Sequence, residues 1–472
     1  MINRQAIFVA ALAGAWGVSS ASAQAEAARR AAIATITAET IARDIGVLAD
    51  DSLRGRPTPS RELDAAAAYV ASELARAGVR PLPGHELVTR WPLINTSPIL
   101  DGIRLTVRRA GGDTTLRYGT DFALMPGGPT PTAASLVPVA SLDDTAAIRG
   151  RVPVLRLPAG PWSAPAHAAM SRARQGHARG LVLVLDSAQA IGPIAAAGAK
   201  MNHASIGVPT VLVGPATAEH LRGDLTLTVP EQADTTYPPY VLGVVRGSDS
   251  KLRQEYVVMT AHLDHLGIGA PDERGDSIYN GADDNASGVA GVLGAARAIA
   301  RLRPAPRRSV LFLVVSGEEI GIRGSEHFTS RPPVPLERIV ADINLDGIGR
   351  SWQSDTVSAE GSAFSSLGST AREAARSHPD LSLEVVDDQW PDRSYFTTSD
   401  QIWFARRGVP SLFLSSSGPD AHYHKPSDEA STIEAEFTAR IARLAALTVL
   451  RVADDHTRPR WVESARQALR LE

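Results

Sequence analysis

The chain has 472 residues, 44% of them hydrophobic and 21% charged, which is globular composition long enough for two or three domains and excludes collagen or a wholly disordered chain. Its 48 basic and 51 acidic residues leave a formal charge of −3, and no polybasic run offers a surface for nucleic acid or an anionic membrane. Cysteine is absent, which excludes disulfides, thiolate metal sites, iron–sulfur clusters, a cysteine nucleophile and a lipoprotein anchor, so any metal must be held by His, Asp and Glu.

In chain order, Arg4 precedes an apolar run from Ala6 to Val18, and Ala21-Ser22-Ala23 fits a small-residue cleavage pattern. The run is too short to span a bilayer comfortably. Residues 1–23 are therefore expected to be a signal peptide, and the rest an exported protein, periplasmic or extracellular, with no stable membrane insertion. Residues 24–110 open with a loop, Leu53-Arg54-Gly55-Arg56-Pro57, and a helical pattern over Arg61–Gly78 in which Leu63, Ala67, Val70 and Leu74 share a face. Residues 111–235 carry short β-like runs at Val152–Leu157, Leu181–Leu185 and Val208–Val213 between Ala-, Gly- and Pro-rich segments, with no metal-type spacing. They read as a non-catalytic inserted module. Residues 236–452 alternate apolar strands (Tyr256–Thr260, Ser309–Val315, Ile339–Ile343, Ser411–Leu414) with helical patterns around Val289–Ile299 and Phe437–Leu447. That alternation predicts an α/β domain with a mainly parallel, mixed sheet between helix layers. Residues 453–472 form a charged tail.

Acidic and histidine residues gather just after the predicted strands, where open α/β sheets bind ligands. His262-Leu263-Asp264 follows the first strand; His262 is a candidate ligand, Asp264 its orienter, and His265 a bystander. Asn280–Gly288 opens a helix with Asp283, Asp284 and Asn285; capping accounts for one of the three, and a carboxylate there can bridge two cations. Glu318-Glu319 ends the second strand, where adjacent carboxylates repel unless a cation offsets them; Glu319 can ligate while Glu318 takes a proton from bound water. Asp346 in Asn344-Leu345-Asp346-Gly347 is a ligand or a turn residue. His422-Tyr423-His424-Lys425-Pro426-Ser427-Asp428 offers His424 as a ligand and Asp428 to orient it. The inventory suits two cations sharing one carboxylate, with zinc's preference for His nitrogen and carboxylate oxygen.

At these five motifs, in this order, the sequence resembles the M28 family of zinc peptidases, the co-catalytic metallo-aminopeptidases, and the resemblance covers most of the chain after residue 23. It implies the zinc-exopeptidase fold, two Zn2+ per chain, and peptide substrates with a free N-terminus. It implies that His262 and Asp346 hold one zinc, that Glu319 and His424 hold the other, and that Asp284 bridges them. Glu318 is then the general base, Asp264 orients His262, and Tyr423 hydrogen-bonds the reacting carbonyl. Ser399-Asp400-Gln401 departs from the Ser-Asp-His of many relatives, which bears on the pocket and not on the ligand set. The middle stretch resembles a protease-associated (PA) domain, often inserted in this family.

Three other readings compete: a carboxypeptidase or dipeptidase, a glutaminyl-cyclase-like transferase, and a peptidase-like binding protein without activity. A serine hydrolase centred on Ser415-Ser416-Ser417-Gly418 lacks the Gly-x-Ser-x-Gly elbow. For Arg393, Tyr395 and Trp403, packing is a simpler account than lining the pocket.

Overall fold

A computed structural model describes residue 24, residues 26–109, 111–125, 133–198, 208–353, 355–388, 395–418 and 420–463, and residue 465. The expected signal peptide, Arg393 and the end of the C-terminal tail lie outside the described residues. Among the described residues, no helix is long and apolar enough to cross a membrane. The chain divides into two units: residues up to Pro92 together with those from Tyr237 onward, and Leu93–Thr236.

The first unit begins with helices α1 (Ala38–Leu48) and α2 (Arg61–Arg76). Ser60 caps α2 by accepting the Leu63 N–H at 2.9 Å, Glu62 and Asp64 lie in its first turn, and Arg76 lies in its last, all favourable to the helix dipole. Strands β1 (Val88–Arg90), β2 (Pro239–Val245) and β3 (Tyr256–His262) follow, then α3 (Gly288–Ala300), β4 (Ser309–Val315), α4 (Arg323–Ser330) and β5 (Ile339–Leu345). The unit continues with β6 (Thr356–Glu360), α5 (Leu367–Ser377), β7 (Glu384–Val386), α6 (Gln401–Arg406), β8 (Ser411–Ser415) and α7 (Ala435–Asp454). Their order across the sheet is β1-β2-β4-β3-β5-β8-β6-β7. The central four, β4-β3-β5-β8, are mutually parallel; β2 pairs antiparallel with β4, and β6 antiparallel with β8.

Every residue of β4 and β5 is buried, as a parallel strand covered on both faces requires. Helix α3 is almost wholly buried as well, and its Ala- and Gly-rich sequence lets it pack closely against both the sheet and α7. The chain runs from β3 to β4 on one side and then to β5 on the other. This reversal beside β3 leaves a crevice at the strands' carboxyl ends. The four predicted strands are observed, with β3 running two residues further, to His262, β5 two further, to Leu345, and β8 one further, to Ser415, whereas β1, β2, β6 and β7 were not expected.

The second unit contains an eight-stranded mixed sheet in the order Thr114–Arg117, Arg104–Arg108, Asp224–Thr228, Ala134–Val139, Val152–Arg156, Leu181–Val184, Thr210–Val213, Phe122–Met125. Four neighbouring strands from Ala134–Val139 to Thr210–Val213 are parallel, with Ser163–Gln175 among the intervening helices. Apolar clusters lie around Leu181 and Leu183 and around Val182 and Val184, the two sets pointing to opposite faces. The unit starts at Leu93 instead of the expected 111, because Leu93–Pro98 pairs with Glu231–Thr236 and Arg104–Arg108 pairs with Asp224–Thr228.

One buried ion cluster ties α1, α2 and α3 together. Arg297 on α3 meets Asp44 on α1 at 2.5 and 3.0 Å and Glu73 on α2 at 2.6 Å, and Tyr69 donates to Asp44 at 2.7 Å. Burial works to raise the Glu73 carboxyl, but Arg297 and Arg76 outweigh it and hold it below its ordinary value. A depressed carboxyl stabilises the fold above the unfolded-state pKa, and that contribution is lost as pH falls through the folded value. Arg297→Met removes the buried cation shared by Asp44, which keeps Arg43 and Tyr69, and Glu73, which keeps Arg76, so unfolding free energy at pH 7 should fall by about 1.5–3 kcal/mol. In denaturant titrations, the gap from the unaltered protein should narrow below about pH 4, where carboxyls protonate. A gap that persists there would assign the loss to packing instead.

Candidate metal centre

The carboxyl ends of β3, β4, β5 and the loop after β8 bring the residues singled out in the sequence to one place. His262 closes β3, in register beside Val315 on β4. Its Nδ1 lies 3.1 Å from the Asp264 carbonyl oxygen, so Nδ1–H donates there and Nε2 is left with a free lone pair. That Nε2 is 3.2 Å from Asp284 Oδ1 and 3.4 Å from Asp346 Oδ1. The other oxygen of Asp284 is 3.1 Å from His424 Nε2, which is itself 3.2 Å from Glu319 Oε2. One carboxylate therefore faces two His–carboxylate pairs, one through each oxygen.

These distances distinguish two arrangements. Direct charge-assisted contacts are shorter, about 2.7–2.9 Å. Two donors placed tetrahedrally around one zinc at 2.0–2.1 Å lie about 3.3 Å apart. Moreover, His262 Nε2, His424 Nε2 and Glu319 Oε1 are buried without a hydrogen-bond partner. Buried polar atoms are rarely left so. The donor set and its unpaired atoms fit a pair of cations.

The electrostatics agree. Burial disfavours a charged His262, yet Asp346, Glu318 and the contacts with Asp284 outweigh it and lift the imidazole well above its ordinary value. His424 is likewise pushed up to about 10, against burial, by Asp284 and Glu319. The carboxylates demand positive charge, and a metal ion supplies it while leaving both imidazoles neutral. Burial pushes Glu318 well above the usual carboxylate range; His262 opposes this, and Glu319, Asp346 and Asp400 add to it.

Surrounding residues fix this arrangement. Asp428, fully buried, accepts the backbone N–H of Asp283 at 2.9 Å and of Asp284 at 3.2 Å. The expectation that Asp428 orients His424 is thus replaced: its carboxylate holds the Asp283–Asp284 turn. Gly281 begins this turn at φ +60°, and a Cβ there would lie 2.3 Å from the Asp284 carbonyl and 2.5 Å from the His265 ring, so only glycine fits. Arg350 binds Asp428 at 2.9 Å, pairs with Asp420 and lies 3.4 Å from Asp283. From beneath, the fully buried Arg56 donates to the carbonyls of Leu263 (2.5 Å), Leu48 (2.8 Å), Gly281 (2.7 Å) and Asn280. Burial brings its guanidinium down to about 10, with Asp428, Asp284, Asp264 and Glu319 opposing, so it stays charged at neutral pH.

Asp264 also departs from expectation. Its backbone carbonyl, not its carboxylate, receives His262 Nδ1–H; the nearer carboxylate oxygen is 3.9 Å away and accepts the Glu318 N–H at 3.3 Å. Asp346 is held by Ser399, whose hydroxyl donates to Oδ2 at 2.7 Å. Asn344 donates to Ser399 at 3.0 Å and to Gln401 at 2.8 Å, so Gln401 belongs to this chain of contacts. Tyr423 is exposed and stacks on His424 with ring centroids 3.8 Å apart. Trp403 is half-buried beneath Arg406 and Tyr395 lines the adjoining cavity. His265, read as a bystander, is buried with Nδ1 2.6 Å from Glu319 Oε1, although its N–H is not aimed at that oxygen, and its ring meets His424 edge-on. His265, Asp284 and Glu319 form a second group of donor atoms close enough to share an ion. The sequence signal was present, three residues after His262, but the direction of a loop side chain is set by tertiary contacts.

Residues 241–449 match the sequence profile of peptidase family M28. The match covers 209 of the 472 residues, a little under half of the chain. A probable zinc metalloprotease of Pyrenophora teres f. teres is 32% identical over 115 residues, 24% of this chain and 23% of that protein. One from Pyricularia oryzae is 32% identical over 158 residues, 30% of this chain and 31% of that protein. The chain thus spans 23% to 31% of the length of these curated relatives. Among solved structures, it is similar to an aminopeptidase from Aneurinibacillus sp. strain AM-1, with TM-score 0.54, 17% identity and coverage of 91% of this chain and 96% of that one. It is also similar to a zinc aminopeptidase from Bacillus subtilis, with TM-score 0.51, 18% identity and coverage of 89% and 96%. At these identities the likeness is one of fold. The α/β fold with a mixed sheet between helices is therefore the zinc-exopeptidase fold that the motifs implied.

The roles of Asp428 can be separated by metal analysis. Asp428→Ala frees two buried N–H groups of the Asp283–Asp284 turn, and zinc should be lost from both positions together. Loss of only one zinc per chain, with the other retained after dialysis, would instead place its action on His424.

Proposed function

We propose that the chain is an exported di-zinc aminopeptidase. His262 and Asp346 would hold one zinc, Glu319 and His424 the other, and Asp284 both. Bound there, zinc polarises a carbonyl and acidifies water. Glu318 accepts the proton of the attacking water as its oxygen bonds to the peptide carbonyl carbon. The same carboxyl then delivers the proton to the leaving amine nitrogen as the C–N bond breaks. Asp264 keeps Glu318 in place through its backbone N–H. Tyr423, at the mouth beside His424, would donate its hydroxyl to the reacting oxygen. The zinc-metallopeptidase family and the unpaired donor atoms support this reading, and the apolar leader at residues 6–18 supports export. The unit at Leu93–Thr236 would be the PA-like insertion and takes no part in the chemistry.

One observation favours an amino over a carboxyl terminus. A cavity of about 420 Å³ adjoins the centre, a size that suits one terminal residue. Its described lining includes Asp283, Asp284, Glu318, Asp346, Glu360 and Asp420 against one cation, Arg350. That arginine is already engaged by Asp420 and Asp428. A carboxypeptidase needs a free cation for the substrate carboxylate, whereas this acidic lining suits an ammonium group.

Purified protein should contain two zinc per chain and release anilines from aminoacyl-anilides, not from N-acetylated controls, and chelation should abolish release. Two zinc with release only from carboxypeptidase substrates would reverse the terminus. Glu318→Gln should keep both zinc ions and lower kcat by about 10²–10⁴. If zinc leaves with the activity, Glu318 is a ligand and not the base. Asp284→Ala should empty both positions.

A further inference from the structure

The cavity beside the centre ends on a group that neither the metal site nor the proposed chemistry uses. Glu360 closes β6, and in the antiparallel pairing of β6 with β8 it stands directly opposite Phe413, as Ser358 stands opposite Ser415. Directly opposed residues on antiparallel strands share a face of the sheet. Glu360, Phe413 and Ser415 accordingly line the same cavity. Ser415 lies at the end of β8 nearest the centre, and Glu360 sits one pleat repeat deeper, about 7 Å further along the strand. The cavity therefore places its acid at the bottom, with Phe413 and Tyr395 as walls.

Glu360 is 1% exposed. Its Oε1 accepts the Ser358 hydroxyl at 2.5 Å, Oε2 receives no donor among the described residues, and the Asp388 carboxyl lies within hydrogen-bonding reach. A buried carboxyl beside a second acid is costly unless a proton or a cation offsets the charge. Here Glu360 lies at the floor of a cavity large enough for a side chain.

We infer that Glu360 is a specificity-determining residue that selects substrates whose terminal residue has a long basic side chain, lysine or arginine. The inference rests on the peptidase reading and adds the chemistry of the side chain to it. The depth argues for length: a short polar side chain would stop beside Ser415, whereas a lysine stem of four methylenes reaches the floor. The walls argue for an aliphatic stem, since Phe413 and Tyr395 cover it while its charged end meets Glu360. The charge argues for a cation. Burial pushes Glu360 up to about 8, the Ser358 hydroxyl opposes this, and Asp388 and Asp387 add to it. A cationic ligand is the group that relieves both the burial and the neighbouring acids. Arg350, the cation in the lining, is paired with Asp420 and Asp428.

The test compares lysyl- and norleucyl-anilides, which share a stem and differ in the terminal ammonium, on the zinc-loaded enzyme and on Glu360→Gln and Glu360→Leu. We expect kcat/KM to favour lysine over norleucine by about tenfold or more, as a desolvated charge pair provides. In both variants this ratio should fall to about one or reverse. Calorimetric titration with lysinamide and norleucinamide should show the same preference in binding, independent of turnover. Hydrolysis of norleucyl-anilide with no preference for lysine in either measurement would overturn the inference and leave the peptidase reading standing. A lysine preference that survives in both variants would also overturn it, placing the selection on another acid. Zinc-loaded enzyme that hydrolyses no anilide and binds neither amide would sink the peptidase reading, and this inference with it.

Discussion

The accumulation of carboxylates at the carboxyl ends of four parallel strands is the constraint that organises this unit. Asp264, Asp284, Glu318, Glu319 and Asp346 converge there, the first two buried and the other three half-buried. Unpaired, such groups repel one another and lose hydration, at a cost of several kcal/mol each. The fold offsets this in three ways. Arg56 lies beneath the cluster and satisfies three backbone carbonyls of the loops that carry it and that of Leu48 at the end of α1. Arg350 lies beside it and pairs with acids of the Asp283–Asp428 side. The remaining positions, between Asp284 and its two histidines, are spaced as ligands are around an ion. The two arginines thus leave uncompensated only the part of the acidic charge that cations would neutralise.

Much of this was legible in the sequence because it is local. The strands are continuous apolar runs, and the motifs of His262, Glu318–Glu319 and Asp346 lie at their ends or within a few residues of them, so the convergence of these three at one sheet edge follows from topology. His262, Asp284, Glu318, Glu319, Asp346 and His424 do meet there. What the sequence did not disclose depends on how distant segments face each other. Asp264 and Asp428 were read as orienters of the nearest histidine. Both act instead on backbone N–H groups, Asp264 on Glu318 and Asp428 on the Asp283–Asp284 turn. Arg56 sat in a stretch read as a loop, and nothing local marks it as buried. His265 turns inward because its loop is folded back over Gly55 and Arg56, whose backbone it contacts. The inserted unit begins earlier than composition suggested because a strand's membership is decided by its partner.

Gln401 shows how a departure from a motif can be absorbed. Its side-chain oxygen accepts from Asn344 and its amide donates to the Phe396 carbonyl, both internal to the unit. Asn344 then reaches Ser399, and Ser399 reaches Asp346. An amide can donate and accept at once without changing charge. The chain of contacts behind Asp346 is therefore neutral up to the carboxylate itself, which preserves the charge at that position while allowing the residue at 401 to differ from its relatives.

The sheet also divides its tasks. The ends of the parallel strands β3, β4 and β5 carry His262, Glu318, Glu319 and Asp346 of the centre, and the pairing of these strands is fixed by buried neighbours on both sides. The antiparallel strand β6, nearer the edge, contributes Glu360 to the cavity and nothing to the centre. A side chain on β6 can change without shifting His262 or Asp346, because β8 lies between β6 and β5 in the sheet. On the proposed reading, substrate selection and bond cleavage fall on strands that respond separately to substitution. The residue at position 360 can then set which terminal side chain enters, while the centre decides what happens to it.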